Sequence, residues 1–406
     1  MLGRLKFEID PLVEEMLDRI PEEMFVSDTK TFLDPSMGGG QFIKALISRL
    51  RKYSHSDDNI ASRITGYENN KMRIKFAVNK HNLIGTFEVK DFLEKEYEED
   101  EDMKFDVILG NPPFESATVD GRKDQANNLW SKFTKKAFDL VKEDGIVSFV
   151  TPTSWLSPAA DIGKGDNGIK FVRDYFQKLS VTHLNVNECA KHFDVGSTFS
   201  YFVVQNTQSN ECTTRVVTDG EVYNIDLRDI SFFPKTMSSV GISINNKILT
   251  NTEKFGIIGN NLPESKLEMV KQETDEYNVP CYHTNAKGGT YWYSKSPIST
   301  CKKRKVIFSI SGEFTPIYDD VGELSFTGMC CAYYLNDNDT MDSIKSFLES
   351  KLITFLLKEN KYTGWVSPVT RDLPNLDKTK VWTNEELYTH FELTQPEVDY
   401  IEENVK

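Results

Sequence analysis

The sequence has no Cys-x-x-Cys pair. Its six cysteines (Cys189, Cys212, Cys281, Cys301, Cys330 and Cys331) are scattered, and its six histidines show no metal-ligand spacing. This excludes a zinc framework and a disulfide scaffold as organising devices; the cysteines are expected to be reduced packing thiols, and no metal site is expected. No apolar run approaches the ~18–20 residues that a membrane span requires. The N-terminal segment lacks an apolar stretch followed by small cleavage-site residues, so the expected location is cytoplasmic, with no membrane partner. A net positive charge is also lacking, since 62 acidic residues outnumber 48 Lys and Arg and leave a net charge of −14 at pH 7. Indiscriminate attraction to phosphate needs a local excess of cations, so any nucleic-acid binding must rely on particular patches. The acidity is partly local, because Glu94 to Asp102 is nearly all acidic, whereas Lys132, Lys135 and Lys136, and Lys302 to Lys305, form basic clusters.

What remains is an ordinary globular composition, 39% hydrophobic and 27% charged over 406 residues, enough for two domains. Up to residue 206 short apolar runs alternate with helical patterns. Strands are predicted at 31–33, 63–68, 83–89, 105–109 and 146–150, and helices at 41–51, 70–80 and 129–141. This alternation predicts an α/β fold with a mainly parallel sheet and helices on both faces. Polar residues 207–210 mark a boundary. Residues 207–335 have short strand-like runs among Gly, Ser, Thr and aromatics, and residues 336–406 read as helical over 341–357 and 384–403.

Two motifs carry chemistry. Asp34-Pro35-Ser36-Met37-Gly38-Gly39-Gly40-Gln41-Phe42 ends the first strand and opens a helix, where glycines allow tight turning and close approach of backbone to a ligand. One strand–helix–strand unit later comes Glu68, placed to accept hydrogen bonds from ribose hydroxyls, followed by Asn69. The second motif, Asn111-Pro112-Pro113-Phe114, follows the apolar strand 105–109 directly. Two prolines make a rigid turn that cannot continue a central strand. A strand-terminating turn does not by itself account for the flanking amide and aromatic ring. A planar amino group does: the Asn111 side-chain oxygen and the Pro112 carbonyl accept from it, and Phe114 stacks on the ring that bears it.

In this order the two motifs resemble motifs I and IV of the gamma-class adenine-N6 DNA methyltransferases of restriction–modification systems. The resemblance implies a Rossmann-like sheet that binds S-adenosylmethionine in residues 1–206, a target-recognition region over 207–335, and a helical segment over 336–406 that completes it. It implies cofactor contacts from Phe7, Asp34, Pro35, Ser36, Gly38, Gly40, Phe42, Glu68, Asn69, Asp91, Phe92 and Asn111. Asp34 would hold the amino-acid end, Glu68 the ribose, and Asp91 the adenine amino group. Catalysis would fall to Asn111, Pro112, Pro113 and Phe114, with Phe193, in a segment resembling motif VIII, stacking on the other face of the target base; Phe199 is the second candidate. Gly39 departs from the family pattern, which usually has a non-glycine residue there, and is expected to loosen the loop without removing a functional atom.

Double-stranded DNA is the implied substrate, and a separate restriction endonuclease a candidate partner, because the 33 residues ahead of Asp34 are too few for a fused nuclease. Aromatic residues Tyr282, His283, Tyr291, Trp292 and Tyr293, interleaved with Lys287, Lys295 and Lys302 to Lys305, are the expected DNA-facing surface. Two other readings stay open: an N-methyltransferase acting on RNA or on a protein glutamine, and a catalytically silent nucleic-acid-binding module.

Overall fold

The computed structural model describes residues 10–94, 104–114, 129–156, 176–192, 199–208, 213–230, 233–250, 253–259, 268–285, 289–298, 301, 303–361 and 367–405. Asp229 closes a first compact unit and Ile230 opens a second.

The first unit is built on a nine-stranded sheet. Its strands are β1 (Phe32–Asp34), β2 (Ile64–Glu68), β3 (Thr86–Val89), β4 (Phe105–Gly110), β5 (Val141–Pro152), β6 (Leu179–Asn185), β7 (Phe199–Gln208), β8 (Thr214–Thr218) and β9 (Glu221–Ile225). They stand in the order β3-β2-β1-β4-β5-β7-β6-β8-β9. The first five run parallel, and β7 is antiparallel to both β5 and β6. After β1 the chain builds outward on one side through β2 and β3, then returns to the other side with β4. The carboxyl ends of β1 and β4 therefore flank the switch point, the edge at which open α/β sheets bind ligands.

Six helices described in this unit are α1 (Pro11–Leu17), α2 (Glu23–Val26), α3 (Gln41–Lys52), α4 (Asp57–Arg63), α5 (Lys71–His81) and α6 (Leu129–Leu140). Side chains alternate between the faces of a strand. Val107, Leu109, Ile146, Val150, Tyr201 and Val203 join one core with the buried sides of α1 to α5. On the opposite face Phe149 and Phe202 meet, and Phe202 is 4.6 Å from Phe176, which contacts Phe138 of α6 at 6.2 Å. Helices on both faces, as predicted, follow from this two-residue period. The α3 stripe of Phe42, Ile43, Leu46, Ile47 and Leu50 is buried, and Asn82, at φ 48, ends α5 in the left-handed conformation.

The amino ends of β1 and β4 are tied by Asp106. Its carboxylate accepts from Lys30 at 2.9 Å, Lys142 at 2.8 Å, and the amide and hydroxyl of Thr31, each at 3.0 Å. Burial pushes its pKa up, but these donors outweigh burial and hold it at about 2.

The second unit holds two four-stranded sheets. One has the order β10 (Ile258–Gly259), β17 (Cys330–Tyr334), β14 (Lys305–Ser309), β15 (Ile317–Asp319), and the other β11 (Met269–Val270), β13 (Thr290–Ser294), β12 (Val279–Thr284), β16 (Ser325–Phe326). Helices α7 (Ser239–Leu249), α8 (Met341–Leu348), α9 (Lys351–Asn360), α10 (Ser367–Arg371), α11 (Asn384–His390) and α12 (Gln395–Asn404) accompany them.

The sequence expectations shift in three places. The boundary expected at 206 falls inside β7, and β8 and β9 extend the sheet beyond it, so the first unit runs to Asp229. The expected divide at 335/336 separates residues of one core, in which Val306 and Phe308 pack with Phe347, Leu352, Leu387 and Ile401. Each predicted C-terminal helix is two. Ser350 interrupts the first and caps α9 by accepting from the Ile353 amide. The second breaks at Glu392, with φ 53, and restarts at a capping box of Thr394 and Glu397.

Candidate active site

The apolar residues Phe32 and Leu33 carry β1 through the core and deliver Asp34 to the carboxyl edge of the sheet, 1% exposed. Asp34 Oδ1 accepts from the Ser36 amide at 3.0 Å. Its Oδ2 is buried and has no partner among the described residues. Burial raises the Asp34 carboxyl to about 7; the Ser36 amide opposes this, and the negative charge of Glu68 adds to it. The loop then turns through Gly38 at φ 49 and Gly40 at φ 79. It is stitched to β2 by the Met37 amide, which donates to the Tyr67 carbonyl at 2.9 Å. A Cβ on Gly40 would lie 2.7 Å from the Leu83 side chain, so this glycine lets the loop close onto the protein interior. The atoms nearest to a Cβ on Gly39 belong to the flexible end of Gln41, so glycine at this position is structurally mild.

Strand β2 ends in Glu68, 6% exposed, whose Oε1 accepts from the Asn70 amide at 3.1 Å. Asn70 in turn caps α5 by accepting from the amides of Met72 and Arg73. Beyond β3, Asp91 is exposed and accepts from the Leu93 amide at 2.9 Å. Phe92 is buried, its ring 5.0 Å from Phe133.

The third wall comes from β4. Gly110 is its last residue, and a Cβ there would lie 2.9 Å from Asp34 Oδ1, so glycine allows this close approach. Asn111 and Pro113 are exposed and Pro112 is buried. The Ser36 hydroxyl donates to the Asn111 carbonyl at 3.3 Å, joining the two turns.

Together these residues enclose a cleft of about 310 Å³ lined by Pro35, Ser36, Gly38, Glu68, Asn69, Asp91, Phe92, Asn111 and Pro113. Arg73, Lys90 and Phe133 also line it and were not anticipated. Phe133 lies in the helix predicted at 129–141, where nothing in the sequence marked it as a site residue. Lys90 stands directly after a strand at the carboxyl edge, a position that could have flagged it. Asp34, Pro112 and Phe114 are not among the lining residues. Gly40 and Phe42 do not line the cleft, and Phe42 is a core residue of α3. Phe114 is half-buried and lies on the buried ring of Phe199, centroids 5.2 Å apart and planes at 29°. Phe7 and Phe193 fall outside the described residues.

The expected DNA-facing patch of the second unit is only partly a surface. Lys305 is fully buried and paired with Asp319, and Tyr282 is also buried. Arg304 pairs with Asp320 at 2.7 Å and Lys295 with Glu276 at 2.6 Å. His283 stacks on Trp292 at 4.7 Å, and Tyr291 is exposed. Lys287 and Lys302 lie outside the described residues. Among the described residues there is no group of three or more His, Cys, Asp or Glu side chains suited to a metal, and no helix long and apolar enough to cross a membrane.

Residues 41–172 match the Eco57I restriction-modification methylase family. An uncharacterized adenine-specific methylase of Mycoplasma pneumoniae is 25% identical over 145 residues, which are 34% of this chain and 32% of that protein. The chain thus matches about a third of the length of that curated relative. Among solved structures, a nuclease-deletion mutant of the Type ISP restriction-modification enzyme LlaGI aligns with a TM-score of 0.56 at 11% identity, covering 93% of this chain and 54% of that one. This likeness is one of fold. The Type IIL enzyme MmeI aligns with a TM-score of 0.49 at 10% identity, over 97% of this chain and 73% of that one. Residues 41–172, which hold Glu68, Asp91 and the Asn-Pro-Pro-Phe turn but not the glycine turn at 34–40, are thus similar to the Eco57I restriction-modification methylases, in agreement with the resemblance drawn from the sequence.

Proposed function

We propose that the protein is a site-specific DNA methyltransferase that uses S-adenosylmethionine to methylate the N6 amino group of adenine. One observation carries this reading: the Asn-Pro-Pro turn and the glycine turn meet in one cleft, joined by the Ser36–Asn111 hydrogen bond.

The residues suit the cofactor. Asp34 has a buried carboxylate oxygen with no protein donor among the described residues, the complement of a ligand ammonium group. Glu68 sits at the end of the next strand, where ribose hydroxyls would donate to it, and Asp91 and Phe92, which line the same cleft, would take the adenine end. When bound, S-adenosylmethionine supplies the electrophilic methyl group.

The chain supplies position and electrostatics. An adenine amino group is a weak nucleophile because its lone pair is delocalised into the ring. The Asn111 Oδ1 and the Pro112 carbonyl accept its two hydrogens, draw them out of the ring plane, and stabilise the positive charge that develops on nitrogen. The adenine must first leave the duplex, at a cost of a few kcal/mol. Aromatic stacking of ~1–3 kcal/mol per contact offsets part of this, the role proposed for Phe114 and Phe193. The Phe114–Phe199 stack gives that platform a rigid base. The second unit is proposed to read the target sequence in double-stranded DNA, and a separate restriction endonuclease is the proposed protein partner.

Incubating the purified chain with radiolabelled S-adenosylmethionine and duplex DNA, then digesting to nucleosides, tests this. Labelled N6-methyl-2′-deoxyadenosine supports the reading; duplex DNA that stays unlabelled, while RNA or a glutamine-containing protein offered in its place is labelled, would replace it.

A further inference from the structure

The residues joining the two turns do more than line the cleft. Ser36 makes two hydrogen bonds in opposite directions: its amide donates to Asp34 Oδ1 at 3.0 Å, and its hydroxyl to the Asn111 carbonyl at 3.3 Å. That carbonyl belongs to the Asn111–Pro112 peptide, a planar unit with a hindered proline nitrogen and no N–H of its own. Holding its oxygen sets the rotation of this plane and the direction of the Asn111 Cα–Cβ bond; because the ring of Pro112 fixes its φ and Pro113 restricts its ψ, the Pro112 carbonyl is oriented with it. Gly110 reinforces the arrangement from the other side, since its Cα side sits against Asp34 Oδ1 with no room for a Cβ. The carboxylate proposed to hold the cofactor and the acceptors proposed to hold the base are therefore linked through a single serine.

We propose that Ser36 is a positioning residue for methyl transfer, acting through the Asn111–Pro112 peptide to aim the two acceptors rather than by holding the cofactor. The inference rests on the methyltransferase reading above. A serine that only bound cofactor would affect cofactor affinity; a serine that aims the acceptors affects the chemical step.

The test compares wild type, Ser36→Ala and Ser36→Thr. It measures kcat and KM for S-adenosylmethionine with duplex DNA, and calorimetric affinity for S-adenosylhomocysteine. Ser36→Ala should lower kcat about tenfold, equivalent to about 1.4 kcal/mol. The loss in kcat should exceed any change in KM or in S-adenosylhomocysteine affinity, to which Ser36 contributes as a lining residue of the cleft, and Ser36→Thr, which keeps the hydroxyl, should retain at least half of kcat. Unbound S-adenosylhomocysteine in Ser36→Ala, an unchanged kcat, or equal losses in the alanine and threonine variants would each overturn the proposal. Wild type that binds S-adenosylhomocysteine but methylates no adenine in DNA would instead overturn the parent reading, and this inference with it.

Discussion

Two buried aspartates on neighbouring strands sit at opposite ends of the same sheet and have opposite fates. Asp106, at the amino end of β4, is 4% exposed and receives hydrogen bonds from Lys30, Lys142 and Thr31. Asp34, at the carboxyl end of β1, is 1% exposed, receives one from the Ser36 amide, and leaves Oδ2 unpaired. Donors hold the first near pKa 2 despite its burial, and burial lifts the second to about 7. A carboxylate saturated by its own chain is part of the scaffold. One desolvated with a single donor and one bare oxygen is a cost to the fold, and makes sense where a ligand brings the missing donor. The sheet thus has a structural end and an end proposed to bind the cofactor.

The largest effect should come from the second of these ends. Asn111→Ala removes one of two acceptors for the developing charge, and turnover should fall by at least about 100-fold, with S-adenosylhomocysteine affinity within threefold of wild type by calorimetry. Asp34→Asn should weaken S-adenosylhomocysteine binding by at least about tenfold, or about 1.4 kcal/mol.

The same variant sharpens the comparison through pH. The folded pKa of Asp34 lies above its unfolded value, so the folded state holds the proton more tightly. Its contribution to stability is complete below about pH 3.8 and is lost as pH rises to about 7. Between pH 5 and 8 the ligand-free wild type should lose more thermal stability than Asp34→Asn; an equal loss in both would contradict the assignment.

Asp106→Ala should do the reverse of Asp34→Asn. It should lower stability at pH 7 by about 2 kcal/mol in chemical denaturation, and leave S-adenosylhomocysteine affinity unchanged. The Asp106 contribution is present above about pH 3.8 and is lost as pH falls through about 2. The smallest effect is expected at Gly39→Ala, where the atoms nearest to the added methyl belong to the mobile Gln41 amide. Its kcat and cofactor affinity should stay within about twofold of wild type.

Much of the first unit was legible because local pattern and tertiary role agree there. Phe105 to Leu109 is mostly apolar because β4 is central, and Asp34 and Glu68 end β1 and β2, and Asn111 follows β4, at the carboxyl edge of the sheet beside the switch point. Legibility failed where a residue's role depends on a distant partner. Lys305 read as a surface cation, yet Asp319, its cross-strand neighbour, draws it inside. Phe42 fits the motif pattern, but the helical period that opens at Gln41 turns it into the core. The donor shortage of Asp34 and the Ser36–Asn111 contact depend on strands brought together from far apart in sequence, so no spacing rule reveals them.

The central claim is that an amide turn presents adenine N6 to a methyl donor held beside Asp34 and Glu68. Long-read sequencing of DNA from cells expressing the wild-type chain or its Asn111→Ala variant tests it most directly. The account predicts N6-methyladenine at one recurring sequence with wild type and none with the variant. The same mark in both, or cytosine methylation in place of adenine, would contradict it.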